Sequence, residues 1–200
     1  MGLTLEEKYN LLCERERSGG FFVARSVIHK PEVSLWMILI PVLFVFHAMQ
    51  IQKYKSGVKS FAENFIRTRI KALDFALEAI QAEKSPEIDV PTCFPSLDRG
   101  NEALRRVCEK QVEEIRILFR HYRALMWAEG NNFETLLKRA YGDEGKYRAF
   151  LNTLEKAEDE VNRHVAKQFQ ADEAAKEVMQ KIVRTLQGLR KEELEIFKAR

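Results

Sequence analysis

The feature that most constrains this chain is one uncharged stretch, residues 33–51, which reads VSLWMILIPVLFVFHAMQI. Fifteen of the nineteen residues in this apolar run are hydrophobic. As a helix, the run would be about 28 Å long, close to the roughly 30 Å of hydrocarbon in a bilayer. A core helix of a soluble domain would show a polar stripe, and none occurs between Leu35 and Phe46. The run therefore predicts a membrane-spanning helix over residues 31–52.

The residues around the run are typical of a helix that meets a bilayer interface. Aromatic and lysine side chains combine an apolar body with a polar end, which suits the headgroup region. A proline inside the run removes one backbone hydrogen bond and predicts a kink, which membrane helices tolerate. The predicted anchor residues are Trp36, Pro41, Phe44, Phe46, Lys53, Tyr54 and Lys55.

The charges on either side of the run predict its orientation. More lysines and arginines follow the run than precede it, so the positive-inside rule favours a cytoplasmic C-terminal side. We expect a single-pass protein of the cytoplasmic (inner) membrane with its bulk in the cytoplasm. Two alternatives stay open. The run could form a re-entrant hairpin bent at Pro41, or it could be buried inside a soluble helical oligomer.

The rest of the chain has helical periodicity, so we expect an all-α fold. Residues 1–30 predict an amphipathic helical segment that begins with a capping box at Thr4 and Glu7 and is interrupted at Gly19-Gly20. Its second part could lie on a membrane surface or pack against the bundle. Residues 53–200 predict a cytoplasmic bundle of about four helices, with a proline-rich loop at 84–100. Residues 144–200 could form one long helix or two.

The helix after the loop shows a heptad-like apolar seam, typical of coiled-coil packing. The seam comprises Cys108, Val112, Ile115, Phe119, Tyr122 and Met126. Further along, Asn131-Asn132 and Asp143 are expected to cap the starts of two more helices, and Gly142 to end the first of them.

Composition excludes several function classes. The formal net charge is only +3, with acids and bases interleaved, which is a poor basis for nucleic-acid binding. The three cysteines have no metal-ligand or redox spacing and are expected to be free thiols. No phosphate-binding loop, nucleophile elbow or paired Glu-x-x-His motif occurs. The sequence therefore predicts no cofactor, no metal site and no small-molecule substrate.

Two sets of polar residues remain as candidate sites. His47 or His121 could hold a haem, quinone or metal in an electron-transfer or other enzyme subunit. Alternatively, His47 lies near the membrane interface as an ordinary polar residue. On a helix with the seam facing inward, Arg120 and Arg123 point outward and could contact a partner protein or anionic lipid.

Three segments carry a resemblance: LTLEEKY, KPEVSLWMILIP and QKYKSGVKSFAENF. Over residues 3–75 they resemble a bacterial family of about this length, for which no activity is known. Its members combine one hydrophobic segment with a helical remainder, and the resemblance implies the same organisation here.

These observations together predict a non-enzymatic adaptor or accessory subunit. Its anchor would bind membrane lipid, and its helical bundle would tether or stabilise a protein complex through a protein partner or by forming a homo-oligomer.

Overall fold

The fold is all-α, as the helical periodicity predicts. A computed structural model of the protein describes residues 2–28, 41–97, 100–168 and 173–198, with the backbone alone for 41–51, 168 and 174. No strand occurs within these ranges. In chain order the helices are α1 Leu5–Val27, α2 Pro41–Phe65, α3 Arg67–Gln81, α4 Val90–Cys93, α5 Glu102–Trp127, α6 Phe133–Tyr141, α7 Glu144–Gln168 and α8 Glu173–Glu195.

Helix α1 begins at the predicted capping box. The Thr4 amide donates to the Glu7 carboxylate over 2.8 Å, and the Glu7 amide donates to the Thr4 hydroxyl over 3.2 Å. The helix then continues without a break through Gly19-Gly20, where the sequence pattern predicts an interruption. Burial explains the difference, because α1 packs against α2, α3, α5 and α8, and Gly20, Val23 and Ala24 are buried. Its second part therefore packs on the bundle.

Gly20 determines how closely α1 approaches the junction of α2 and α3. A Cβ atom at this position would lie 2.4 Å from Ile66 Cγ2 and 3.4 Å from the Ala62 carbonyl oxygen. Only a residue without a side chain fits such a contact. Beyond it, Ala24 of α1 forms a small apolar cluster with Val58 and Ala62 of α2.

Five of the six long helices in the described part of the chain, here called the ring helices, form a closed ring. Around it, α1 contacts α3, α3 contacts α5, α5 contacts α7, α7 contacts α8, and α8 returns to α1. The sequence predicts about four helices after residue 53, and the fifth member is α1. Residues 144–168 and 173–195 form two helices that pack against each other. In the 84–100 segment, α4 forms one short turn capped by Asp89.

Helix α5 is the central element, and its predicted seam is buried. Asn101, Asn132 and Asp143 accept hydrogen bonds from backbone amides at the starts of α5, α6 and α7. Gly142 ends α6 with a positive φ of 78°, a conformation that glycine adopts at little cost. The cysteines Cys13, Cys93 and Cys108 are free and buried, as predicted.

The membrane-spanning part of the predicted fold is unsupported. Within the described ranges, no helix combines the length and the apolar character that a bilayer crossing needs. Of the predicted span 31–52, residues 31–40 lie outside the described residues, and α2 includes the remainder from Pro41 onward.

Candidate functional site

A charged centre lies within the ring, and each of the five ring helices supplies one member. The members are Glu16 of α1, Arg69 of α3, Glu114 of α5, Glu158 of α7 and Arg190 of α8. The Arg69 guanidinium lies 2.7 Å from Glu158 and 3.5 Å from Glu16, and Arg190 also donates to Glu158. Ion pairs of this kind keep buried charges tolerable, because each charge has a partner of opposite sign.

Glu114 is the exception in the charged centre. It is partly buried, and no described residue forms a hydrogen bond or ion pair with it. Burial, followed by repulsion from Glu158, raises its pKa to about 7 against the opposing attraction of Arg69 and Arg190. Three carboxyl groups and two guanidinium groups therefore share this space. The charges balance when Glu114 is protonated, and burial, the largest cause of the raised pKa, favours retention of its proton to near neutral pH.

An aromatic cluster lies next to the charged centre, around His121. The His121 Nδ1 atom shares a 2.7 Å hydrogen bond with the Tyr141 hydroxyl, and the imidazole stacks on Phe150 with 4.3 Å between ring centroids. Tyr147 completes the cluster and donates a 2.6 Å hydrogen bond to Glu193. Burial lowers the pKa of His121 to about 3, so its imidazole is neutral at physiological pH.

One side chain, Tyr122, connects the aromatic cluster with the charged centre, and a second, Arg15, contacts Glu193, the hydrogen-bond acceptor of Tyr147. Tyr122, next to His121, donates a 2.7 Å hydrogen bond to Glu16. Arg15 of α1 lies 2.7 Å from Glu193 and 3.6 Å from the centre of the Phe133 ring. Burial, then the negative charge of Glu16, raises the pKa of Tyr122 well above its ordinary value. The tyrosine therefore keeps its proton and acts as a hydrogen-bond donor to Glu16.

The ring also encloses a half-open cleft of about 630 Å³, lined by the five ring helices together with Phe65 of α2 and Phe133 of α6. Leu12 and Gly20 of α1 face Leu154 of α7 and Leu189 of α8 across it, and His121 lies in its wall. The volume is in the range of small-molecule pockets. However, the arginines that line it are already paired with carboxylates, so no fixed positive charge is left for a ligand.

The histidines that were candidate ligands lie in different environments. His121 is packed by Tyr141 and Phe150, and these contacts account for its position without a cofactor. The side chain of His47 lies outside the described residues. His164 Nδ1 lies 2.8 Å from the Glu160 carbonyl oxygen of its own helix. Among the described residues, no three side chains of histidine, cysteine, aspartate or glutamate come together as a metal-binding group.

The predicted anchor and contact residues are found in different settings. Trp36 lies outside the described residues, and Pro41, Phe44 and Phe46 are described only as backbone of α2. Lys53 and Lys55 are exposed, while Tyr54 packs against the cluster formed by Ala24, Val58 and Ala62. Arg120 and Arg123 are exposed on α5.

The sequence did not predict the charged centre. A signal was present, however, in a second stripe of α5 beside the predicted seam. Val107, Glu114, Leu118, His121 and Leu125 follow one another at steps of seven, four, three and four. Four of these five are buried. Their positions identify α5 as a helix with a wide buried arc, on which a glutamate is partly removed from water.

Comparisons with known proteins add no family. The sequence matches no protein-family model and no curated protein, and the fold matches no solved structure. The class that the structure itself defines is an all-α helical bundle.

Proposed function

We propose that the protein is a membrane-anchored, non-enzymatic adaptor or accessory subunit that tethers or stabilises a protein complex at the cytoplasmic membrane. The observation that carries this proposal is the uncharged run of residues 33–51 in an otherwise highly charged chain. Keeping such a run among acyl chains costs less free energy than exposing it to water. Because α1 precedes the run and packs in the same ring as the helices that follow it, a single pass would place parts of one bundle on opposite sides of the membrane. We therefore propose that the run enters the membrane as a re-entrant hairpin bent at Pro41, with both flanks and the bundle on the cytoplasmic side.

The course of α2 supports an anchor that is joined to the bundle without a flexible linker. The helix continues from Pro41 inside the run to Phe65, a length of about 37 Å. Its second half packs on α1 through Val58 and Ala62. A bilayer that held the run would therefore hold the ring through a continuous helix.

The lysines after the run support the proposed orientation. Lys53, Lys55 and Lys59 are exposed and follow the last apolar residue within eight positions. Lysines in this position favour the cytoplasmic side of a membrane helix. They also suit an anionic inner leaflet, to which each contributes roughly 1 kcal/mol of attraction.

Alkaline carbonate extraction of native membranes tests the anchor. We expect the wild-type protein in the pellet and a Leu39→Arg/Leu43→Arg variant in the supernatant, since each arginine at the centre of a span costs about 3 kcal/mol. The matched control, Lys55→Arg/Lys59→Arg, should stay in the pellet. Release of the wild-type protein would refute the anchor and favour a soluble oligomer that buries the run.

Reporter fusions distinguish a single pass from a hairpin. A reporter that is active only in the periplasm should be inactive at both the N-terminus and the C-terminus, with the protein in the carbonate pellet. Activity at the N-terminus alone would favour a single pass and would contradict the packing of α1 against α3, α5 and α8.

A further inference from the structure

The C-terminal half of α5 carries an exposed surface whose charges are unmatched. In the first half of the helix, cations pair with carboxylates one turn away, as Arg105 does with Glu109 and Arg106 with Glu102. The sequence then contains no acidic residue between Glu114 and Glu129. Arg120 and Arg123 are exposed, and neither forms an ion pair with a described residue.

Trp127 extends this surface by one turn. With 70% of its area exposed, it is the most exposed of the large hydrophobic side chains in the described ranges. We call the surface formed by Arg120, Arg123 and Trp127 the docking face. These residues follow each other at steps of three and four, so they lie on one side of the helix. Tryptophan and arginine are also the residue types that contribute most to protein–protein interfaces.

The docking face lies at the far end of the ring from the anchor. The Lys8 amine donates to the Met126 carbonyl oxygen over 3.1 Å, which places the end of α5 beside the start of α1. At the other end of α1, Ile28 packs on the cluster that includes Tyr54 of α2. The twenty residues from Lys8 to Ile28 span about 30 Å of helix. This distance exceeds the Debye length of about 8 Å at physiological salt, which favours a protein over anionic lipid as the occupant.

We propose that the docking face binds an acidic amphipathic segment of a partner protein. Arg120 and Arg123 would each receive a carboxylate, for which the guanidinium offers two parallel N–H donors. Trp127 would be covered by an apolar residue one turn further along the partner. The inference rests on the proposed adaptor function and names the chemistry of the partner it would hold.

Photo-cross-linking in native membranes tests the docking face. Benzoylphenylalanine replaces Ala124, which lies half-buried between Arg123 and Trp127, so the docking face itself is unchanged. We expect one main protein adduct, with the cross-linked peptide rich in aspartate and glutamate. An Arg120→Gln/Arg123→Gln variant should reduce the adduct about tenfold, and Trp127→Ala by a similar factor.

The matched control is Arg105→Gln/Arg106→Gln, which removes the same charge from the same helix where carboxylates already neutralise it. This control should keep the adduct within about twofold of the unsubstituted protein. Circular dichroism of each purified variant in uncharged detergent checks that all of them fold equally.

Three results would overturn the proposal: no adduct, an adduct with lipid alone, or a protein adduct that the two docking-face arginines do not affect. The carbonate experiment is independent of these results. If carbonate releases the protein but the arginine-dependent adduct still forms, the anchor is refuted and the docking face is supported. If the protein stays in the pellet but no adduct forms, the docking face is refuted and the anchor is supported.

Discussion

Replacing Glu114 with glutamine should stabilise the protein at alkaline pH. Glutamine has nearly the shape of a protonated glutamate and carries no charge. In the folded protein the pKa of Glu114 is raised from 4.5 to about 7 by burial and by Glu158. Between these values the folded state binds more protons than the unfolded state, so the free energy of unfolding falls as pH rises. Above about pH 7 this loss is complete, and below about pH 4.5 it is absent.

The size of the effect follows from the difference between the two pKa values. Each pKa unit corresponds to about 1.4 kcal/mol, so the loss approaches roughly 3 kcal/mol. This value is an upper limit, because Glu114 is only partly buried and water screens part of its charge. At pH 8, Glu114→Gln should raise the free energy of unfolding by up to about 3 kcal/mol, or the melting temperature by about 6–12 °C. At pH 4.5 the two proteins should be similar.

Urea unfolding in uncharged detergent, followed by circular dichroism at pH 5 and pH 8, measures this difference. The control is Glu113→Gln, since Glu113 is exposed and pairs only with Lys110. It should change stability by less than about 0.5 kcal/mol at both pH values. If Glu114→Gln is no more stable than the wild-type protein at pH 8, burial does not hold a proton on Glu114, and our description of the charged centre is wrong.

Three further substitutions test other parts of the structure. Gly20→Ala should destabilise the protein by about 1–3 kcal/mol in urea unfolding, because its Cβ would clash with Ile66. The control Gly19→Ala places its Cβ near no other atom and should stabilise the protein by up to about 1 kcal/mol. Arg69→Met should cost about 3–5 kcal/mol in the same assay, since it removes the ion-pair partner of Glu16 and one of the two partners of Glu158. Because of His121, the free energy of unfolding of the wild-type protein should decrease by about 1.4 kcal/mol for each unit by which the pH falls between pH 6.5 and pH 3. Over this range the unfolded state binds a proton at His121 that the buried imidazole of the folded state does not bind. A His121→Gln variant should lack this part of the acid loss, and an unchanged pH profile would show that His121 is not the residue responsible.

Local sequence patterns predicted the helices because local interactions determine where a helix starts and which face is buried. Thr4 and Asn132 form the expected caps, and the α5 seam through Ile115 is buried as its spacing predicts. The unbroken course of α1 through Gly19-Gly20 was not predictable in this way. Glycine lowers local helix propensity, but at Gly20 the absence of a side chain allows the close contact with Ile66. Tertiary packing therefore overrides local preference at this position.

The charged centre could not be predicted for a related reason. Its five members are separated by up to 174 positions in the sequence, from Glu16 to Arg190. Each one alone is typical of a solvated helix face. They come together only because five helices close into a ring, and no local pattern encodes that closure. The second stripe of α5 indicates that Glu114 is partly buried, but it does not identify Arg69 or Glu158 as neighbours.

The ring also constrains how an anchor could meet the bilayer. Ser26 near the end of α1 accepts a 3.1 Å hydrogen bond from Thr185 of α8. The twelve residues from Glu173 to Thr185 therefore extend about 18 Å past this end. Helix α2 extends past it by a similar length, from Tyr54 back to Pro41.

Helices α2 and α8 thus extend beyond the ring at the same end. If the anchor in α2 were parallel to the α7–α8 hairpin, the exposed charges Glu173 and Lys176 would lie among acyl chains. Charges at that depth cost several kcal/mol, so the proposed anchor requires the ring axis to be inclined to the membrane normal. A spin label replacing Lys176 should then be reached by a water-soluble relaxation agent, and one replacing Leu43 by oxygen alone. If the water-soluble agent reaches both labels, the run does not lie in lipid, and the inclined arrangement loses its basis.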